Sequence, residues 1–319
     1  MDEHTPVLVE EALTALGFDE SRTQEPADGL YVDATFGRGG HAARILARLA
    51  DTGRLLAIDR DPQAVAEARR RFAADQRVVV VHAAFGALEA LVAAHGGGRE
   101  CRGILFDLGV SSPQLDQAAR GFSFQQDGPL DMRMDTTSGP TAAQWLAQAQ
   151  HNEIRDVIAR LGEERFARRV ADAIVREREA APITTTAQLS RIVAGVVRTR
   201  EPGKNPATRS FQALRMHVND ELGEIERGLN GALRALCVGG RLAVISFHSL
   251  EDRLVKNLLR RESSPDRVLA RLPMLPASYA PRMRLVGKKI KATSAETQAN
   301  PRARSAVLRV AEKLVAGGA

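Results

Sequence analysis

The sequence predicts an α/β protein: a doubly wound, mostly parallel sheet with an all-helical segment inserted into it. Three observations lead there. Between residues 30 and 107, short apolar runs alternate with helix-period patterns, with strands at about 30–35, 54–59, 77–82 and 102–107 and helices near 41–50, 62–74 and 85–95. Runs such as Val78-Val79-Val80-Val81 and Ile104-Leu105-Phe106 have no polar alternation, as expected of strands covered on both faces. The next convincing strand, at 241–247, arrives only after about 130 residues, where an ordinary crossover needs about 30.

Taken in order, Thr5-Pro6 predicts a helix start, with Thr5 as N-cap and Pro6 at the first helical position. Leu8, Ala12, Leu13 and Leu16 form its apolar face and Gly17 its stop. Residues 30–41 follow, Leu-Tyr-Val-Asp-Ala-Thr-Phe-Gly-Arg-Gly-Gly-His: a strand that breaks into a glycine loop and opens a helix. Such a loop brings backbone N–H groups close to a ligand. Asp59 ends the second strand, where an acid grips a ribose diol in nucleotide-binding sheets. Asp107 ends the fourth, and the rhythm stops there.

The middle of the chain is helical. Ile154, Val157, Ile158 and Leu161 share one face, as do Leu189, Ile192, Val193, Val196 and Val197. A longer stripe from Phe211 through Leu214, Val218, Leu222, Ile225, Leu229 and Leu233 to Leu236 reads as a helix capped by Asn205-Pro206 and ended by Gly239-Gly240, although Gly223, Gly228 and Gly231 weaken it. Residues 283–293 and 305–313 read as two closing strands at the sheet edge. The expected domains are 1–119 with 216–319 for the sheet, and 120–215 for the helical insertion.

Composition narrows the class. Of 319 residues, 44% are hydrophobic and 26% charged, the balance of a soluble globular protein. Cys101 and Cys237 have neither CxxC spacing nor neighbouring histidines, so neither a disulfide framework nor a zinc site is expected. Met1-Asp2-Glu3-His4 is acidic where a signal peptide is basic, and no apolar run approaches membrane-spanning length; a cytoplasmic protein is the expectation. The net charge of +6 is unevenly spread. Residues 1–119 hold 12 Lys/Arg against 18 Asp/Glu, whereas 120–215 hold 15 against 11 and 251–319 hold 15 against 6, so a polyanionic partner would meet the middle and the tail rather than the glycine loop.

Three ligands suit the glycine loop. Gly37-x-Gly39-x-x-Ala42 fits a dinucleotide fingerprint ending in alanine. A nucleoside triphosphate is disfavoured because no Gly-Lys-Ser/Thr follows. S-adenosylmethionine, with an adenosine and a charged amino-acid end but no pyrophosphate, is the third. The readings that the loop leaves are a methyltransferase and a nicotinamide-dependent oxidoreductase.

A resemblance separates them. Thr5-Pro6-Val7-Leu8, Asp33-Ala34-Thr35-Phe36-Gly37-x-Gly39-Gly40-His41, Asp107-Leu108-Gly109-Val110-Ser111-Ser112-x-Gln114, Gly121-Phe122-Ser123-Phe124 and Gly128-Pro129-Leu130-Asp131-Met132-Arg133-Met134 occur in order along the chain. Gly240-Arg241-Leu242-x-Val244-Ile245-Ser246-Phe247-His248-Ser249-Leu250-Glu251-Asp252-Arg253 and Asn300-Pro301-Arg302-x-Arg304-Ser305 complete the set. Together they resemble the bacterial small-subunit (16S) ribosomal RNA cytosine-N4 methyltransferases. That resemblance implies a class I methyltransferase fold with a helical insertion, and S-adenosylmethionine as methyl donor to a cytidine of the decoding region. It also implies that Gly39, Gly40 and His41 line the methionine end, Asp59 holds the ribose, Phe85 lies beside the adenine, and Asp107 and Gln114 complete the pocket.

The chemistry agrees with those residue types. A carboxylate accepts from both ribose hydroxyls and an aromatic ring stacks on adenine. The exocyclic amine of cytosine is conjugated and poorly nucleophilic, so it needs an acceptor on its N–H and a near in-line approach to the methyl group. Amino-methyltransferases of DNA place Asp/Asn/Ser-Pro-Pro-aromatic at this strand end; here Asp107 is followed by Leu108-Gly109-Val110. That departure leaves two roles for Asp107, toward the amine or toward the cofactor, and the expectation is cofactor duty. The Ser111-Ser112 loop is expected to admit the cytosine, with His248, Ser249 and Glu251 facing the same cleft; Asp107, Ser111, Ser112 and His248 are the catalytic candidates. Phe122 and Phe124 are either stacking platforms or anchors of the insertion, and Arg133, between acids, reads as a salt-bridged arginine. Lys288, Lys289, Lys291, Arg302 and Arg304, with Arg165, Arg168 and Arg169, are candidate phosphate contacts. The expected partner is 16S ribosomal RNA in the assembled small subunit, because no compact sequence-reading module is visible.

Overall fold

A computed structural model describes residues 6–18, 27–197, 205–264 and 280–314. The chain forms two compact units, Met1–Gly109 with Leu222–Ala319, and Val110–Glu221.

The first unit is built on β1 (Leu30–Asp33), β2 (Arg54–Asp59), β3 (Val78–His82), β4 (Cys101–Asp107), β5 (Leu236–Ser246), β6 (Met283–Leu285), β7 (Ile290–Lys291) and β8 (Val307–Lys313). Its order is β3-β2-β1-β4-β5-β8-β6, with β7 also paired to β8. Strands β1 to β5 run parallel; β8 is antiparallel to β5, β6 and β7. The fold class is therefore the predicted one. The closing strands differ in one respect: β8 lies inside the sheet, and the 283–293 segment makes two short strands along its far side.

Strand residues alternate between two cores. Tyr31, Leu55, Ala57, Leu105, Ala243 and Ile245 face one side, where α1 (Val9–Ala15) and α2 (Gly40–Leu46), with the residue after α1, contribute Leu13, Leu16, Ala42 and Ile45. Val32, Leu56, Ile58, Ile104, Phe106, Leu242 and Val244 face the other, against Leu88, Leu229, Leu233, Val255 and Leu259. Those residues come from α4 (Leu88–His95), α11 (Glu221–Ala235) and α12 (Ser249–Ser263); α3 (Pro62–Arg71) connects β2 to β3. Central strands buried on both faces explain the unbroken apolar runs.

The second unit contains α5 (Ser112–Asp116), α6 (Ala142–Gln148), α7 (His151–Gly162), α8 (Ala167–Ala180), α9 (Thr186–Val196) and α10 (Thr208–Val218), while α13 (Ser294–Ala299) belongs to the first. Leu146, Ile154, Ile158, Val170, Ile174, Leu189, Val193, Phe211 and Leu214 form its core. Phe124 meets Phe211 edge-on at 5.0 Å and Phe122 is buried under Arg120, so both act as anchors. Arg133 forms a forked pair with Asp131 at 2.7 and 2.9 Å.

Two boundaries differ from expectation. Helix α1 starts at Val9, behind Leu8 in a left-handed conformation (φ 55) whose N–H goes to Glu296 Oε1 at 2.7 Å; Pro6 is not helical, and Thr5 lies outside the described residues. The long stripe from Phe211 is two helices broken at Asn219-Asp220. Asn219 donates to the carbonyls of Met132 and Arg215 at 2.7 and 2.8 Å and accepts the Met134 N–H at 2.7 Å, and Asp220 takes φ 46. The second helix ends at Ala235, and Gly239 (φ 78) lies within β5 rather than ending a helix.

Candidate functional site

The strand order reverses between β1 and β4, and in open α/β sheets the crevice beyond the carboxyl ends at that point is where ligands bind. Three acids stand there, each the last residue of its strand: Asp33 on β1, Asp59 on β2 and Asp107 on β4.

Asp59 spends its carboxylate on the glycine loop, accepting the Gly37 N–H at 2.7 Å and the Asp61 N–H at 2.8 Å. The carboxylate keeps a lone pair for a ribose hydroxyl. Asp33 accepts from the Thr35 N–H at 3.2 Å, and Thr35 Oγ1 accepts the Asp107 N–H at 2.7 Å, which ties β1 to β4. Burial drives all three carboxyls upward. Asp33 reaches about 7, with Asp59 adding to the rise, and Asp59 reaches about 6, with Asp61 adding. Asp107 goes well above the usual carboxylate range, with Asp33 and Glu251 adding to the effect of burial.

His41 is buried in the first turn of α2. Its Nε2 donates to the Val7 carbonyl at 3.0 Å, leaving Nδ1 3.6 Å from Asp107 Oδ2. The loop's glycines serve the fold before they serve a ligand. A Cβ on Gly39 (φ 72) would stand 2.4 Å from the Phe36 ring, and one on Gly40 would stand 2.4 Å from Pro6. The Gly37 and Gly39 N–H groups are already taken, by Asp59 and by the Phe36 carbonyl at 2.7 Å. Packing against Phe36 and Pro6 by itself requires glycine at 39 and 40.

Phe85 follows β3 and opens a 3-10 turn, Phe85–Ala87, where it is half-buried and edge-on to Phe106 at 5.4 Å. His248 is the N-cap of α12 and shares a capping box with the fully buried Glu251, which accepts the Phe247 and His248 N–H groups at 2.8 and 3.2 Å. His248 Nε2 lies 3.0 Å from Glu251 Oε1. Ser111, Ser112 and Gln114 belong to the second unit: Ser111 caps α5, Ser112 is its first residue, and Gln114 accepts the Ser111 N–H at 2.9 Å.

Sequence reasoning passed over Asp33 and Thr35 as site residues, whereas Glu251 was expected, with His248 and Ser249, to face the cleft from the end of the 241–247 strand. Asp33 carried a signal, since it closes a strand directly before the glycine loop.

The fit to a cofactor rests on charge. Asp33 Oδ2 and Asp107 Oδ1 are buried and have no hydrogen-bond partner among the described residues. A ligand with cationic or N–H-bearing groups satisfies such oxygens, whereas a pyrophosphate sets like charge against them. S-adenosylmethionine, with its sulfonium and ammonium, fits; a nicotinamide dinucleotide does not.

Comparison with known proteins agrees with this chemistry. The chain is 55% identical over 312 residues to a Dechloromonas aromatica protein named ribosomal RNA small subunit methyltransferase H, covering 98% of each chain. It is 54% identical over 318 residues to a protein of the same name from Thiobacillus denitrificans, covering 99% of each. A third, from Chromobacterium violaceum, is 53% identical over 315 residues, covering 98% of this chain and 96% of the relative. The family model described as MraW methylase family matches residues 1–314, and the chain belongs to that family.

Proposed function

We infer that this protein transfers a methyl group from S-adenosylmethionine to small-subunit ribosomal RNA, and that the acceptor is the exocyclic N4 of a cytidine in the decoding region. The observation that carries the reading is the trio of strand-end carboxyls at the strand-order reversal, each pushed above the ordinary carboxylate range and matched to a cationic cofactor, in a chain more than half identical along its length to small-subunit rRNA methyltransferases. The cytidine and its N4 come from the motif resemblance.

When bound, S-adenosylmethionine supplies an electrophilic methyl group on a sulfonium. The chain's own residues do the rest. Asp59 holds the glycine loop against β2 and offers lone pairs to a ribose. Asp33 and Asp107 offer the buried oxygens a cation stabilises. Asp107 is the acceptor aimed at an amine N–H, and its carboxylate would take the proton that the amine gives up. His41 faces the same carboxyl, with Nδ1 3.6 Å from Asp107 Oδ2. The capping geometry of His248 gives it a positioning role toward the start of α12; Ser111 and Ser112 are assigned to admitting the base and Gln114 to the cofactor pocket. Reaching N4 requires an unstacked or single-stranded base. The 120–215 insertion is the RNA-substrate region of this proposal, the basic tail a phosphate contact, and the assembled small subunit the substrate.

The test is direct. Calorimetry separates S-adenosylmethionine from NAD: binding of NAD and not of the sulfonium would overturn the reading. Radiolabelled methyl transfer to small subunits, with mass spectrometry of the rRNA from a strain lacking the protein, identifies the nucleotide; no transfer would leave a non-catalytic factor.

A further inference from the structure

Helix α11 carries glycine at 228 and 231, which costs it about 1 kcal/mol of intrinsic helicity at each position. The packing supplies the reason. A Cβ on Gly228 would stand 2.7 Å from Phe85 Cδ2 and 3.1 Å from the Phe85 carbonyl oxygen, and one on Gly231 would stand 3.1 Å from the Glu89 nitrogen. These glycines let α11 lie directly on the turn that follows β3. One helical turn before Gly228 and on the same face, Glu224 Oε2 accepts the Gly86 N–H at 2.8 Å. That N–H belongs to the 3-10 turn, whose first donors have no partners within the turn itself. A Cβ on Gly86 would stand 2.5 Å from the same oxygen. The other Glu224 oxygen accepts from Arg227 Nη2 at 2.6 Å, and the side chain is only 14% exposed. The Phe85 ring also meets the edge of Phe106 at 89°.

Phe85 is thus gripped between Phe106 and Gly228, while Glu224 pins the backbone one residue further on. We propose that Glu224 is a positioning residue for adenine recognition: it fixes the Phe85–Ala87 turn, and through it the ring against which the adenine of the cofactor lies. The inference rests on reading the crevice as an adenosine-binding pocket with Phe85 at its adenine end. It gives α11 a specific role, in which the helix presents a carboxylate and two glycines at i, i+4 and i+7 to one turn of the sheet domain. No step of the chemistry passes through Glu224, so its effect belongs on cofactor affinity alone.

The experiment compares Glu224→Ala, Glu224→Gln, Gly228→Ala and Phe85→Ala in the full chain, by calorimetric titration with S-adenosylhomocysteine and, separately, adenosine. Amide hydrogen exchange at Gly86 without ligand is the readout independent of activity. Glu224→Ala is expected to weaken both ligands about tenfold, because a charge-assisted hydrogen bond is removed, and to speed Gly86 exchange. Glu224→Gln, whose amide oxygen still accepts from Gly86, is expected to stay within about threefold of the parent. With saturating cofactor, kcat is unchanged and KM for the cofactor rises. Unchanged affinity in Glu224→Ala, or a fall in kcat at constant KM, overturns the proposal. If Phe85→Ala itself leaves adenosine binding intact, the adenine reading of the pocket fails instead. If Phe85→Ala weakens binding and Glu224→Ala and Gly228→Ala do not, the pocket stands and the clamp is rejected.

Discussion

A carboxyl group buried beside other carboxyls holds its proton, and Asp33 is the clearest case. Its pKa is pushed up to about 7 in the fold by burial, whereas the unfolded chain returns it to the ordinary carboxylate range. The folded protein therefore keeps a proton that the unfolded chain gives up. The stability that Asp33 allows is complete at low pH and diminishes as pH rises from the ordinary carboxylate range to about 7. Asp33→Asn removes that loss: without cofactor its Tm is expected to rise by about 5 °C at pH 8 and to stay unchanged near pH 4. Cofactor binding carries the opposite sign, because a cation favours the ionised acids. Wild-type affinity for S-adenosylmethionine should fall as pH is lowered from about 8 to about 5.5, through the range where Asp33 and Asp59 titrate, and calorimetry at each pH measures it. At Gly40 the constraint is steric. Gly40→Ala drives a methyl into Pro6, so the expected result is a lower urea midpoint, by about 1–3 kcal/mol of stability, even without ligand.

Among elements, the junction between α10 and α11 shows how one polar side chain interrupts a helical pattern. The apolar stripe continues through 219–220 with no change of period, yet the helix stops at Val218, where Asn219, almost wholly buried, finds backbone partners at Met132 and Met134. Asn219→Ala leaves the Met134 N–H and Met132 carbonyl without the amide that satisfies them, and should cost about 3 kcal/mol by urea denaturation. A cost below about 1 kcal/mol would show that water replaces the amide. At β6 and β7, the segment leaves the edge of β8 at Gly287 (φ 69), so Lys288 and Lys289 stand exposed rather than within a ladder. Lysines on an edge also guard against strand pairing, so their contribution to RNA binding has to be measured separately from stability.

For the whole molecule, charge is divided between the acids of the crevice and the exposed cations of the tail. Replacing Lys288, Lys289 and Lys291 by Gln should weaken binding to small subunits and lower the salt slope by about one unit for each phosphate no longer neutralised, with S-adenosylmethionine affinity unchanged. An unaltered slope would assign those lysines to edge protection. No helix among the described residues is long and apolar enough to cross a membrane.

The sequence by itself determined the alternation of strands and helices, because buried parallel strands and amphipathic helices differ in period. It also located Asp59 and Asp107 at strand ends, because a strand's last residue is where an apolar run stops. The glycine loop and Asp59 were legible for the same reason. Tertiary structure alone decided that β8 lies inside the sheet, that Gly39 and Gly40 answer to Phe36 and Pro6, that Asp33 shares the crevice with Asp107, and that the glycines of α11 seat it on Phe85. Those facts depend on residues far apart in the chain meeting one another. A local pattern records which face of an element is apolar, but not which neighbour will press against it, nor how burial among like charges will move a proton.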